Sequence, residues 1–350
     1  MIKKFESDFN GTKEMAEKHF IDSDILTPYL REHISDFEGP LTIEEFVGGQ
    51  SNPTYFLKTN TKSYVLRKKP PGMLLKTAHA VDREFKVISA LNKTNVPVPK
   101  AYLHCKDDSI LGTEFFVMEY IEGSVIWESH IPHGTKNDRF EIYSSMNKTI
   151  SKLHAVDPSS IGLEDFGKPG NYVARQVSRW TKQYRDSETT DIPSMNNLID
   201  WLPNNLPSEK PTRLVHGDFS LSNVIINNEN NEVASILDWE LSTLGDPVAD
   251  FSYHCLQYFM NPILTDENKC EELNIPNLKE YVALYMKNSE FDISDDEWNT
   301  YMGFSMFKLA AICQGITGRV RDGTAAGKDA EKFMDQTIGL SNFGWTLIQQ

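Results

Sequence analysis

Two short apolar runs, Asn223-Val-Ile-Ile-Asn227 and Glu232-Val-Ala-Ser-Ile-Leu237, flank the polar tetrad Asn228-Glu-Asn-Asn231. β-Branched runs bounded by turn residues dictate a hairpin. The first strand opens at Asn223 and the second runs out into Asp238, so an amide oxygen and a carboxylate reach the same end. Five positions before Asn223 stands Asp218, within His216-Gly-Asp218-Phe-Ser-Leu-Ser-Asn223. His-Gly-Asp alone is common in turns, where glycine supplies unusual dihedrals and aspartate bonds nearby amides. The hairpin that follows lifts it above that background. A carboxylate that orients a hydroxyl, beside two oxygen ligands for Mg²⁺ on phosphates, is what phosphoryl transfer demands. Asp218 suits the first task, and Asn223 with Asp238 suits the second.

The rest of the chain bounds the context. At 350 residues, 39% of them hydrophobic and 11% aromatic, it has room for two lobes with cores of their own. A formal net charge of −15 argues against nucleic acid or an anionic membrane as partner. An anionic ligand therefore needs a local basic cluster, and Lys58, Lys62, Arg67, Lys68 and Lys69 offer one. The four cysteines lack Cys-x-x-Cys spacing, so buried reduced thiols are expected rather than a zinc site or disulfides. No apolar run follows the first lysines, and none of about 18 residues occurs, so neither signal peptide nor membrane span is expected. A cytoplasmic enzyme fits these features.

Residues 41–120 are mostly β-prone, with runs at 42–47, 54–58 and 63–67, then around Tyr102 and at 115–118. One helix, 78–91, interrupts them. Beyond Glu122-Gly123 the pattern turns helical apart from the hairpin, with helices expected at 140–155, 172–184, 248–259, 278–286 and 298–316. The expected fold is α+β: a small antiparallel-sheet N-terminal lobe for nucleotide (1–122) and a larger, mainly helical lobe for catalysis and substrate (123–350).

Gly48-Gly49-Gln50-Ser51-Asn52 lies between the first two strands, where glycines let amides approach phosphate oxygens. An ordinary hairpin turn has the same composition. Strand alternation puts Val65 and Arg67 on one face, and Val81, Glu84, Phe85 and Ile88 share a helical stripe. Glu84 on an apolar face needs a cation, and Arg67 is placed to supply it if Val65 roofs the adenine. The alternative is a Glu84 that reaches solvent. The connector after Phe115-Phe-Val-Met118 can present backbone groups of Glu119 and Ile121 to an adenine edge.

Together these residues resemble the aminoglycoside-phosphotransferase-like family, small-molecule kinases of protein-kinase-like fold, over about residues 46–251. The likeness is greatest to the kinase-like module that precedes acyl-CoA dehydrogenase domains in some proteins. Gly48-Gly-Gln-Ser-Asn-Pro-Thr54, Leu66-Arg-Lys-Lys-Pro-Pro-Gly72, Ala78-His-Ala-Val-Asp-Arg-Glu84, Arg175-Gln-Val-Ser-Arg-Trp180 and Gln314-Gly-Ile316 carry it. The resemblance implies ATP- and Mg²⁺-dependent phosphorylation of a small-molecule hydroxyl, and a hydroxy-acyl-CoA as acceptor. It puts Asp218 on the catalytic-base position, Asn223 and Asp238 on the metal positions, and Glu84 on the helix glutamate. No dehydrogenase domain is expected after residue 350.

Some positions depart from the general kinase pattern. Arg67 replaces the usual lysine, and Lys68 is a second candidate for phosphate. Ser220 stands two after Asp218, where many protein kinases carry lysine. Seven residues separate Asp238 from Asp246, too few for a long activation loop. Gly245-Asp-Pro-Val-Ala-Asp250 is expected to be architectural, with Asp246 capping a helix that Pro247 opens. Aminoglycoside, amino-alcohol and sugar acceptors stay open, as does a catalytically silent nucleotide-binding module. Arg175, Arg179, Arg319 and Arg321 are candidates for an anionic substrate, with a solvated face the plainer alternative. Oligomeric state is left open.

Overall fold

The structure is a computed structural model that describes residues 11–47, 52–70, 80–323 and 330–350. The described residues gather into two compact units. One draws on Met1–Leu163, Ser220–Ser242 and Asn268–Pro276, and the other on Glu164–Phe219, Thr243–Glu267 and Asn277–Gln350.

The first unit is built on an antiparallel sheet. Its strands are β1 (Thr12–Lys13), β2 (Thr42–Phe46), β3 (Thr54–Lys58), β4 (Ser63–Lys68), β5 (Ala101–Cys105) and β6 (Phe115–Glu119), in the order β1-β2-β3-β4-β6-β5. Alternation divides its faces. Tyr55, Leu57, Tyr64, Leu66, Phe115 and Val117 pack with Leu26 and Leu30 of helix α1 (Ser23–His33). Burying side chains of this size contributes roughly 2 kcal/mol each, so this cluster anchors the sheet. Val65 and Arg67 take the other face, as expected from β4, and pair across to Met118 and Phe116. Helix α2 (Val81–Leu91) packs against β5 and β6, burying Val81, Glu84, Val87 and Ile88. Phe85 sets its ring 5.9 Å from that of Phe116.

The same unit contains the hairpin. Val224–Ile226 pairs antiparallel with Val233–Ile236, matching the two expected strands. Ser124 bridges to Ile226 in both directions, at 2.9 and 2.8 Å. Gly123 permits this approach, because a Cβ there would lie 2.5 Å from the Ile226 carbonyl oxygen. The Lys136–His154 helix starts earlier than the apolar pattern suggested. Thr135 and Asp138 form a reciprocal capping box that satisfies the first orphan amides.

The second unit is mainly helical. Helices Tyr172–Ser187, Pro193–Trp201, Pro247–His254, Leu278–Asn288, Asp295–Arg321 and Ala330–Leu347 dominate it, with a two-stranded pair, Arg213–Val215 against Thr243–Gly245. The helix expected at 248–259 divides into Pro247–His254 and Gln257–Met260, where the Leu256 amide turns to Tyr253 and tightens the chain. The one expected at 298–316 extends over Asp295–Arg321, because Ser294 caps it by accepting from the Glu297 amide. All four cysteines are buried, and none is in a disulfide. No helix among the described residues is long and apolar enough to cross a membrane.

Candidate functional site

In the first unit, Arg67 is the centre of a charged group. Its Nη1 lies 3.0 Å from Glu84 Oε1 and its Nη2 lies 3.5 Å from Asp238 Oδ1. Glu84 is 1% exposed and does not reach solvent, so the expected strand cation is its partner. Burial pushes the Glu84 carboxyl up, to about 7, against the opposing pull of Arg67. Burial acts downward on Arg67, but the carboxylates of Glu84, Asp238 and Glu240 outweigh it and hold the guanidinium charged.

The hairpin brings Asp238 to this cation. The Leu237 amide donates to the Asn223 carbonyl at 2.8 Å, so Asn223 and Asp238 sit side by side at its open end, as the sequence suggested. Asp238 has φ 60° and ψ 62°, a left-handed conformation on a residue that is not glycine. Such strain costs about 1–3 kcal/mol and persists where the surroundings impose it. Its Oδ1 is buried without a hydrogen-bond partner, and so is Arg67 Nε. A carboxylate oxygen held only by a 3.5 Å ion pair, beside a guanidinium N–H without an acceptor, fits a cation together with phosphate oxygens. No group of three or more His, Cys, Asp or Glu with metal-site geometry occurs among the described residues.

Other nucleotide candidates are placed unevenly. Gly48, Gly49, Gln50 and Ser51 lie outside the described residues, whereas Asn52 is buried and its carbonyl accepts from Thr54 Oγ1 at 3.0 Å. Val65 is buried on the Arg67 face. The Glu119 amide donates to Lys100 O at 2.8 Å, so a contribution from Glu119 rests on its carbonyl. The Ile121 backbone makes no hydrogen bond among the described residues. The basic cluster is largely neutralised at home: Lys62 pairs with Asp36 at 2.8 Å and Lys69 with Glu114 at 2.6 Å. Lys68 alternates onto the face of Tyr64 and Leu66, opposite Arg67, and burial lowers its pKa.

In the second unit, Asp218 is exposed on a loop whose backbone is tightly held. Gly217 adopts φ 86°, open to glycine at little cost. Asp250 accepts the His216 and Gly217 amides at 2.8 Å each. His216 Nδ1 accepts from the Asp218 amide at 3.3 Å, and His254 Nδ1 bonds the Phe219 carbonyl at 2.8 Å. Reading the sequence missed Asp250 as the clamp of this loop. The available signal was an aspartate inside the apolar run Val248-Ala-Asp-Phe251, where a buried carboxylate requires donors. Asp246 is the expected cap, accepting from the Val248 and Ala249 amides and from the Tyr301 hydroxyl.

The other substrate candidates are mostly occupied. Arg175 donates to the Lys168 carbonyl at 2.5 Å, and Arg321 to Asp322 and the Glu188 carbonyl. Gln314 is buried and donates to Ser187 O at 2.8 Å, closing a helix end. Arg179 is exposed, its guanidinium 5.2 Å from the Trp180 ring centroid.

Residues 42–269 match the model of the phosphotransferase enzyme family. The chain is 42% identical to mouse acyl-CoA dehydrogenase family member 10 over 341 residues, covering 96% of this chain and 32% of that protein. It is 38% identical to human acyl-CoA dehydrogenase family member 11 over 351 residues, covering 97% of this chain and 45% of that one. The chain thus spans less than half the length of these relatives. Among solved structures, a Ralstonia eutropha protein described as an aminoglycoside phosphotransferase superposes with TM-score 0.86 at 41% identity, covering 94% of this chain and 99% of that one. Choline kinase from Cryptosporidium parvum shares the fold alone, with TM-score 0.59 at 12% identity, over 90% or more of both chains. The architecture is the expected two-lobed, kinase-like α+β fold, and the chain belongs to the phosphotransferase enzyme family.

Proposed function

We propose that this chain is an ATP- and Mg²⁺-dependent kinase that phosphorylates a hydroxyl of a small molecule, with a hydroxy-acyl-CoA as its acceptor. Asp238 carries the reading: a strained backbone holds its carboxylate against an arginine that Glu84 holds in place. In this reading Asn223 and Asp238 hold Mg²⁺, Arg67 binds phosphate, and the backbone of Glu119 and Ile121 meets the adenine. Bound Mg²⁺ would neutralise charge on the phosphate oxygens. Asp218 accepts the hydroxyl proton of the acceptor and aims its oxygen at the γ-phosphate.

The CoA ester rests on the names of the relatives, which pair kinase-like sequence with acyl-CoA dehydrogenases. Phosphorylating a hydroxyl on the acyl chain turns a poor leaving group into a good one and prepares it for elimination. A CoA ester brings several phosphate charges to a chain of net charge −15, so its binding weakens with salt more steeply than that of a neutral alcohol. Four buried cysteines outside any disulfide suit a reducing compartment, and a cytoplasmic site of action belongs to this proposal. A silent nucleotide-binding module is the competing reading, favoured by arginine at position 67. The test is ATP consumption across hydroxy-acyl-CoAs, hydroxy acids, amino alcohols, sugars and aminoglycosides. Turnover confined to the first group supports the reading. Turnover confined to aminoglycosides or amino alcohols overturns the CoA ester, and none at all favours the silent module.

A further inference from the structure

Lys308 is a cation whose charge is felt by Asp218. Lys308 lies within the Asp295–Arg321 helix, which packs on the Tyr172–Ser187 and Pro247–His254 helices. Its side chain is half-buried, and its ammonium sits 3.6 Å from the centroid of the Tyr253 ring. Among the described residues it makes no hydrogen bond and no ion pair. A cation–π contact offsets only part of the desolvation of an ammonium, so an oxygen partner is the chemistry this position lacks.

The surroundings say where that partner belongs. Burial pushes Lys308 down, to about 8, while the charges of Asp250 and Asp218 act to raise it and Arg179 acts with burial. The Tyr253 hydroxyl feels Asp218 as well, its pKa raised first by burial and then by that carboxylate. Tyr253, Lys308 and Asp218 therefore share one locality. Asp250 is engaged by two backbone amides of the loop. Residues 216–223 themselves contain no Lys or Arg, so Lys308 brings to the loop a positive charge that its own sequence lacks.

We propose that Lys308 determines acceptor specificity: its ammonium binds a carboxylate or carbonyl oxygen of the molecule whose hydroxyl Asp218 orients, with the Tyr253 ring as an apolar wall. This rests on the kinase reading for the role of Asp218, and it adds the residue that chooses the acceptor. Two oxygens of one hydroxy-acyl molecule are then read at once, the hydroxyl by Asp218 and the acyl oxygen by Lys308. An aminoglycoside or amino alcohol would bring its own cation against Lys308 and Arg179, and like charges in a half-buried setting repel.

The test is calorimetric titration, without nucleotide, of a hydroxyalkanoate, its CoA thioester, choline and an aminoglycoside into wild type, Lys308→Met and Lys308→Arg. Transfer kinetics are measured on the same proteins. Wild type should prefer the two hydroxy-acyl probes. Lys308→Met should weaken them by about tenfold or more in Kd and KM, a loss of one ammonium–oxygen contact, while kcat changes by less than about threefold. Lys308→Arg should recover most of the affinity, and choline should bind Lys308→Met no worse than wild type. Loss confined to the thioester would assign Lys308 to the carbonyl, and loss for both probes to a carbonyl or carboxylate alike. If the methionine variant does not fold, Lys308→Gln against Lys308→Arg makes the same comparison. Unchanged affinity on loss of the charge, no binding of either hydroxy-acyl probe, or a wild type that prefers choline or the aminoglycoside would each overturn the proposal. Binding that depends on Lys308 without phosphate transfer would sink the kinase reading and leave standing only the role of Lys308 in binding the ligand's oxygen.

Discussion

Glu84 in the first unit and Asp250 in the second are both buried carboxylates, 1% and 5% exposed, and they find their partners by different means. Glu84 leans on a side chain, the Arg67 guanidinium, which also faces Asp238. Asp250 takes two backbone amides and so shapes the loop that ends in Asp218. The first arrangement fixes charge, at the site proposed for phosphate, whereas the second fixes backbone geometry, in the loop proposed to meet the acceptor. Substitutions around Arg67 should therefore act on nucleotide binding and its pH dependence. Substitutions in the loop should act on turnover and folding.

The largest effect that could break this contrast is at Asp218. Asp218→Asn should lower kcat by roughly 10³-fold, the scale of a positioned general base, with Mg·ATP affinity within a few-fold of wild type. Near-normal turnover in steady-state kinetics would remove the loop from the chemistry. Next comes Asp238→Ala, which takes away the charged ligand proposed for the hairpin. A charged contact of about 3 kcal/mol corresponds to roughly 100-fold weaker Mg·ATP binding by calorimetry. Unaltered affinity would put Asp238 outside the nucleotide site.

Asp250→Ala tests the backbone clamp. Leaving two buried amides without an acceptor should lower unfolding free energy by about 3 kcal/mol, read from urea denaturation. A change below about 1 kcal/mol would mean that the loop holds its shape by other bonds.

The smallest effect belongs to Glu84 and is visible in pH. Its carboxyl rises from 4.5 in the reference state to about 7 when folded, so the folded protein keeps a proton that the unfolded chain releases. This contribution to stability is complete below about pH 4.5 and is lost as pH rises toward 7, at up to about 1.4 kcal/mol per pH unit. Glu84→Gln should remove that slope from denaturation curves taken between about pH 5 and pH 7. An identical slope in the variant would assign the titration elsewhere.

The same contrast explains what could be read in the sequence. Face arithmetic on β4 and α2 suffices to pair Arg67 with Glu84, because strand and helix periods dictate which side chains meet. Apolar runs around a polar turn likewise locate Asn223 and Asp238 at the end of a hairpin. Asp250 escapes this reasoning because its partners are amides, which every residue carries, and no side-chain pattern marks them. Lys308 escapes it too, since three helices far apart in sequence bring it to Asp218 and Tyr253. The basic cluster in and around β3 and β4 is partly neutralised in a way the sequence hides: Asp36 and Glu114, distant along the chain, pair with Lys62 and Lys69. Helix starts at Lys136 and Asp295 depend on the local caps Thr135 and Ser294 rather than on apolar periodicity.

The most direct test of the account is to follow the γ-phosphate of labelled ATP in the presence of Mg²⁺ and a hydroxy-acyl-CoA. The account predicts label on the acyl-chain oxygen, with none transferred by Asp218→Asn. Label that appears only as inorganic phosphate, or on the acceptor at equal rates with Asp218→Asn, would contradict it.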